Sequence, residues 1–235
     1  MRISHHGDHL VQLTRYPAVF PMNCYLVIEG DGLTLVDSTM SSPADAVARV
    51  AGELGLQLRR VVLTHAHGDH VGGVAGVRER FTDLVISIGE REARLLADDL
   101  TLAADEPQAP VKGFFSKVDW KPDQLLKPGD RVGSLEVVAS PGHTPGHVAF
   151  LDTRDRSLIA GDAYQTRGGI AVSGVIRPLF PFPALATWHK PTALASGQAL
   201  RELQPSRLAV GHGDVLGEPA TAMESAVRAA RASFG

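Results

Sequence analysis

The sequence predicts a mixed α/β (α+β) fold in which short apolar strands alternate with helices around one cleft. Three observations predict it. Runs rich in valine, isoleucine and leucine recur along the chain, bounded by glycine and aspartate turns. Segments with apolar residues at helical spacing lie between them. Four strand-type runs end in histidine or aspartate beside glycine, where ligand sites gather in α/β proteins. With 44% hydrophobic and 21% charged residues, the 235-residue chain can bury a core and does not have the composition of a disordered one. The ligand-type residues run from His65 to His212 and need one cleft, so one domain over 1–235 is expected.

The elements follow in order. Leu10–Leu13, Met22–Ile28 and Leu33–Val36 read as strands, with Glu29-Gly30-Asp31-Gly32 as a hairpin turn. Ser42-Pro43 opens a helix, serine as its cap and proline in its first turn, that carries Val47, Val50 and Ala51 on one face and stops at Gly55. Arg60–Leu63 is a strand, 71–80 a helix, Leu84–Ile88 a buried strand, and Gly89-Glu90 starts a helix that reaches Asp98. Periodicity fails from Leu102 to Lys127, where Pro107, Pro110 and Pro122 intervene and Phe114, Phe115 and Trp120 stand among polar residues. Such an insertion is a binding loop or lid, or else its aromatics pin it to the body. Strands follow at 134–140, 148–151, 156–160 and 205–210. Arg177–Pro183, with three prolines, excludes regular structure and offers Phe180 and Phe182 as a pocket wall or a plug. The next helix, Thr187–Leu203, is expected to present Leu194, Ala195, Gln198 and Leu203 together, and a last helix covers 219–232.

The chemistry is concentrated in Thr64-His65-Ala66-His67-Gly68-Asp69-His70. Imidazole nitrogen and carboxylate oxygen suit zinc, iron, manganese or cobalt. On extended chain, residues two apart project to one side, so His65 and His67 can grip one ion. Gly68 permits a turn, after which Asp69 and His70 can hold a second. Matching residues end the later strands: Pro141-Gly-His143-Thr-Pro-Gly-His147, Gly161-Asp162 and Gly211-His212-Gly213.

This motif series resembles the metallo-β-lactamase superfamily along nearly the whole chain and in the family's order. The resemblance implies a four-layer αββα sandwich: two mixed β-sheets face to face, helices outside. It implies that His65, His67 and His143 hold one metal, that Asp69, His70 and His212 hold another, and that Asp162 bridges them. Asp37, at the end of the third strand, resembles the acidic residue that supports the metal loop from behind; the alternative is a turn cap. His147 lies outside the implied ligand set and reads as a buried, hydrogen-bonded histidine. The implied cofactors are two divalent ions, zinc first, with iron or manganese as alternatives. Paired cations of this kind, ~3.5–4 Å apart, lower the pKa of bound water to about 7 and make hydroxide the nucleophile. Asp69 is then the expected proton carrier, besides being a ligand. Tyr164 is the candidate to polarise a carbonyl or meet an oxyanion, with packing as its alternative; Gln165 and Arg167 could face the ions.

The implied activity is metal-dependent hydrolysis of a small-molecule ester, lactone or thioester, a lactonase of acyl-homoserine-lactone type being the specific expectation. The rivals are an iron-dependent sulfur dioxygenase or other redox member of the fold, and a non-catalytic binding protein. A net charge of −3 without a basic block argues against nucleic acid. The absence of a signal-type leader and of any long apolar run leads to the expectation of a cytoplasmic protein without a membrane span; a homodimer is left open. The chain ends one helix after His212, which argues against a close relative of the glutathione thioesterases, whose extra helical domain follows. Cys24, the one cysteine, lies in an apolar run and reads as a buried side chain rather than a nucleophile. His5, His6 and His9 lack an apolar lead-in, and His189 lacks a motif; all read as non-ligands.

Overall fold

A computed structural model describes residues 1–234 of the chain. The first half builds one sheet: β1 (Arg2–His6), β2 (Leu10–Arg15), β3 (Met22–Glu29), β4 (Gly32–Val36), then α1 (Ala44–Leu54), β5 (Leu58–Leu63), α2 (Gly68–Val71), α3 (Val74–Arg80), β6 (Val85–Gly89), α4 (Glu90–Leu96) and β7 (Gln124–Leu126). The second half adds β8 (Arg131–Val132), β9 (Leu135–Ala139), β10 (Val148–Asp152), β11 (Ser157–Ile159), β12 (Tyr164–Gln165), β13 (Ala171–Val172), α5 (Phe182–Ala186), α6 (Lys190–Glu202), β14 (Arg207–Ala209), β15 (Leu216–Gly217) and α7 (Ala220–Phe234). The seven-stranded sheet runs β1 to β7 in order, antiparallel as far as β4 and parallel from there. The six-stranded sheet runs β15-β14-β11-β10-β9-β8, with only the β11–β14 pair parallel.

Strand periodicity decides the layers, because successive side chains point to opposite faces. In β2 to β5, Leu10, Tyr25, Val27, Val36 and Val62 meet Leu135, Val137, Phe150 and Ile159 of the other sheet. The alternate residues Val11, Leu13, Cys24, Leu26, Leu35, Val61 and Leu63 face outwards onto Val47 and Val50 of α1, Val77 of α3 and Leu95 of α4. A third layer joins Ala149, Leu151 and Leu158 to Leu200 of α6 and Met223 and Val227 of α7. Helix, sheet, sheet, helix is the predicted four-layer αββα sandwich. Cys24 is fully buried in it, and burial pushes its thiol far up, as a packing role requires.

Several boundaries differ from expectation. The helix expected over 71–80 is two pieces, because the Gly73 N–H donates to the Thr39 carbonyl at 3.0 Å instead of to its own helix, and the close approach of the 38–40 backbone leaves room only for glycine at 72 and 73. The first helix begins at Ala44, one residue later than the proline-first reading, with the Ser42 hydroxyl accepting from the Ala44 N–H at 3.2 Å. Part of the proline-rich run is regular after all: α5 starts at Phe182 with Pro183 in its first turn, where its missing N–H costs nothing. The buried face of α6 is Ala193, Ser196, Gly197 and Leu200 rather than the expected Leu194 side, because small residues let α6 approach β13. The irregular insertion ends sooner, at β7.

Candidate metal centre

Every motif delivers its residues to one end of the two sheets. His65 and His67 leave β5, Asp69 and His70 lie in α2, His143 lies between β9 and β10, Asp162 follows β11 and His212 follows β14. Three donor groups form: His65, His67 and His143; His65, His70 and Asp162; and Asp69, His70 and His212. The first is tight, with His67 Nδ1 3.1 Å from His65 Nε2 and 3.0 Å from His143 Nε2. Asp162 spans the groups, one oxygen lying 3.4 Å from His143 Nε2 and 3.2 Å from His212 Nε2, the other 3.5 Å from His70 Nε2. Asp69 reaches His212 Nε2 at 3.2 Å. All seven residues that the motifs pointed to are therefore brought together.

The surrounding hydrogen bonds settle which nitrogen of each ring faces the centre. His70 Nδ1–H donates to Asp37 at 2.8 Å, His212 Nδ1–H to the Pro21 carbonyl at 2.7 Å and His67 Nε2–H to the Lys112 carbonyl at 2.9 Å. The Thr64 hydroxyl gives its hydrogen to Asp37 at 2.9 Å, so it accepts from His65 Nδ1–H at 3.0 Å. The Thr187 hydroxyl gives its hydrogen to the Pro183 carbonyl, so Ser173 donates to Thr187 and accepts from His143 Nδ1–H at 2.9 Å. Each imidazole thus turns its other nitrogen inwards, and in the neutral rings of His65, His67 and His143 that nitrogen is a bare lone pair. Three lone pairs about 3 Å apart repel one another, and the arrangement makes chemical sense around a cation. His70 Nε2 and Asp162 Oδ1 are buried without a hydrogen-bond partner, as ligand atoms aimed at an ion would be. The donor set fits two divalent ions.

The charges agree with the geometry. Burial, strongest at His65 and His143, pushes the three-histidine group below the ordinary imidazole pKa, so these rings are neutral and able to ligate. Burial pushes the Asp162 and Asp69 carboxyls up, but His212 and His70 outweigh it and hold both below the usual carboxylate range. In return burial pulls His212 down while Asp162 and Asp69 lift it to about 10, and Asp37 with the same carboxylates lifts His70 well above its usual value. The carboxylates of the second group therefore favour positive charge at this point, on the rings or on a bound cation.

Asp37 carries more than a turn cap would: it accepts from His70, from the Thr64 hydroxyl and from the Thr64 N–H at 2.8 Å. His147 is the expected non-ligand. It accepts the Asp162 N–H at 3.1 Å and contacts the Ser140 hydroxyl at 2.8 Å, so it fixes the backbone of Asp162. The insertion crosses the centre as a strap. Lys112 binds His67, the Phe114 carbonyl accepts from the Gly68 N–H at 2.8 Å, and a Cβ at Gly113 would lie 2.0 Å from His67 Nε2. Phe114 lines the cleft, while Phe115 and Trp120 pack on the core and pin the segment to the body.

Three expectations need correction. Tyr164 is fully buried in the outer layer of the second sheet, where its hydroxyl donates to the Gly197 carbonyl at 2.6 Å, and it does not face the cleft. The strand β12 that follows Asp162 turns that side chain towards α6. Gln165 is engaged by the Arg167 and Phe180 carbonyls, and Arg167 by the Ala18 carbonyl, so neither faces the ions. As expected, His5, His6, His9 and His189 join none of the donor groups among the described residues.

Sequence reading missed Glu92. It is fully buried, accepting from the Ala66 N–H at 2.7 Å with one oxygen and from the Thr144 hydroxyl at 2.6 Å and Gly146 N–H at 2.8 Å with the other. It thereby ties the His65–His67 loop to the His143 loop. Its only signal was an acidic residue three places after a buried strand, which a helix N-terminus explains equally well. Thr64, Ser173 and Thr187 left no signal, since hydroxyl residues are common in loops.

The comparisons with known proteins agree with this site. Residues 18–212 match the family model described as "Metallo-beta-lactamase superfamily". The chain is 48% identical to "Uncharacterized protein YobT" of Bacillus subtilis over 94% of this chain and 95% of that one. It is 30% identical to "Probable metallo-hydrolase YflN" of the same organism, over 79% and 76% of the two chains. The solved structure of TTHA1623 "in a di-iron-bound form" superposes with a TM-score of 0.63 at 29% identity, over 90% of this chain and 96% of that one. A family match across residues 18–212, most of its length, makes this chain a member of the metallo-β-lactamase superfamily.

Proposed function

We propose that the protein is a metal-dependent hydrolase that cleaves an ester, lactone or thioester bond in a small molecule. The observation that carries this reading is the set of five inward imidazole nitrogens with Asp162 spanning both groups. Relatives such as the probable metallo-hydrolase YflN support the reaction class, and the cleft of about 360 Å³ is at the small end of the range that holds small ligands. Bound divalent ions would supply Lewis acidity and an activated water. His65, His67 and His143 would hold one ion, Asp69, His70 and His212 the other, and Asp162 both. Zinc is the proposed metal; the di-iron form of TTHA1623 makes iron the competitor. Asp69 lines the cleft and is its one partly exposed carboxylate, so it takes the proton-carrying role and can return a proton to the leaving group. Phe20, Phe114 and Phe182 wall the site and keep bulk water from the reacting bond.

The test is metal analysis of protein purified without chelators, beside a panel of lactone, thioester, ester, phosphodiester and persulfide substrates. Two divalent ions per chain and turnover of an acyl substrate are expected, with Asp162→Ala losing both. Iron with oxygen uptake on a persulfide would replace this reading by a redox one. Turnover retained in Asp162→Ala would remove that residue from the reaction.

A further inference from the structure

The cleft is divided into two chemistries. Its floor is made by His67, Asp69, His143, Asp162 and His212; apart from these candidate ligands, every side chain that lines it is apolar. Among the described residues lining it, none is lysine or arginine. The apolar wall comes from three places in the chain: Phe20 and Met40 from the first sheet's connections, Phe114 from the strap, and Phe182 and Leu185 from α5. Four of these stay open to solvent, with Met40 51%, Phe114 66%, Phe182 51% and Leu185 61% exposed. Large apolar side chains this exposed and gathered at one mouth mark a binding surface rather than a core. The ring of Phe182 is held in place by Phe20 and Phe180, at centroid distances of 5.0 and 5.2 Å, and so is a fixed wall.

We infer that the substrate carries an uncharged, apolar arm, of fatty-acyl type, that lies along Met40, Phe114, Phe182 and Leu185 while its reacting bond sits over the histidines. The inference rests on the hydrolase reading above for the position of the bond, and it specifies what that reading leaves open. A carboxylate or phosphate on the arm would lose its water against apolar walls with no cation to replace it, which is costly. An alkyl arm instead removes both its own surface and four exposed side chains from water. Continuity of the apolar wall with the candidate ligands singles out a substrate arm as the occupant, since the same cleft holds both.

Alkyl hydroxamates from acetyl to decanoyl, titrated calorimetrically into the metal-loaded protein, test this without depending on turnover. Affinity is expected to rise about two- to fourfold per added methylene, the upper value being full burial of each. Suberic acid monohydroxamate, which ends in a carboxylate, should bind at least about tenfold more weakly than octanohydroxamate. Leu185→Ser and Phe182→Ser should each lower affinity for the decanoyl member more than for the acetyl one. A flat series, or tighter binding of the acid-ended probe, would overturn the proposal; a flat series with the apolar mouth protected in a dimer would assign it to an interface instead. A rising series without hydrolysis of any ester would sustain the apolar arm and remove the hydrolase reading.

Discussion

Asp37 shows how much of a metal centre lies outside its ligands. Its backbone is left-handed at φ 60°, a conformation that aspartate and asparagine tolerate better than most residues. There its carboxylate fixes His70 directly and His65 through the Thr64 hydroxyl. Asp37→Asn keeps the backbone but sets an NH₂ group against donors, so metal affinity should fall about 10–100-fold, read by competition with a chelator. Glu92 acts one layer further out. Burial lifts its carboxyl from the ordinary 4.5 to about 7, against the pull of three hydrogen-bond donors. Between those values the unfolded chain ionises first and folding takes up a proton. Glu92 therefore favours the folded state most fully below about 4.5, and this contribution fades as pH rises through about 7, by about 3 kcal/mol in all. Glu92→Gln should remove that slope from urea-midpoint curves taken across this range.

Among the elements, the strap between α4 and β7 has the most to do with the site. It is fastened at both ends: on one side Glu106 pairs with Arg91 of α4 at 2.6 Å and the Trp188 indole N–H donates to the Ala109 carbonyl at 2.8 Å, and on the other Asp123 pairs with Arg78 of α3 at 2.8 Å. Between them it lays Lys112 to Phe114 over His67. Gly113 holds a φ of 102° and leaves its missing Cβ where His67 sits, so two independent reasons require glycine there. Gly113→Ala should lift the strap, cost about 1–3 kcal/mol in thermal stability and weaken binding at the three-histidine group more than at the other. Metal titrations that resolve two steps measure the difference; equal weakening of both steps would mean that the strap does not act through His67. Gly211 is the counterpart on the second sheet, where a Cβ would lie 2.1 Å from an Asp162 oxygen.

At the scale of the whole molecule, the centre sits where loops of both sheets converge, and an ion held there joins the two halves. A ligand that binds only the folded chain stabilises it, by about 2.7 kcal/mol at a hundredfold excess over Kd. Removing the metal with a chelator should thus lower Tm by roughly 5–10 °C for a chain of this size. In Asp162→Ala the shift should largely vanish, and a full shift in that variant would place the stabilising ion elsewhere. No helix of the described residues is long and apolar enough to cross a membrane.

The seven donor residues were legible because they stand in short motifs at strand ends, where local spacing already limits what a side chain can reach. The strands and their two faces were legible for a similar reason, as alternation is a property of neighbours in the chain. Tyr164 was misplaced because proximity in sequence to Asp162 does not say which way a two-residue strand turns its side chains; the approach of α6 decides that. Glu92, Ser173 and Thr187 stayed hidden because their partners lie 54, 30 and 44 positions away or less, across loops that only folding brings together. The sequence by itself determined the strands and the candidate donor residues, since both follow from local pattern and residue chemistry, while the four layers and the division of the donors between two ions came from the family resemblance. The tertiary structure alone decided which nitrogens face the centre and what walls the cleft, because those depend on contacts between segments distant in the chain.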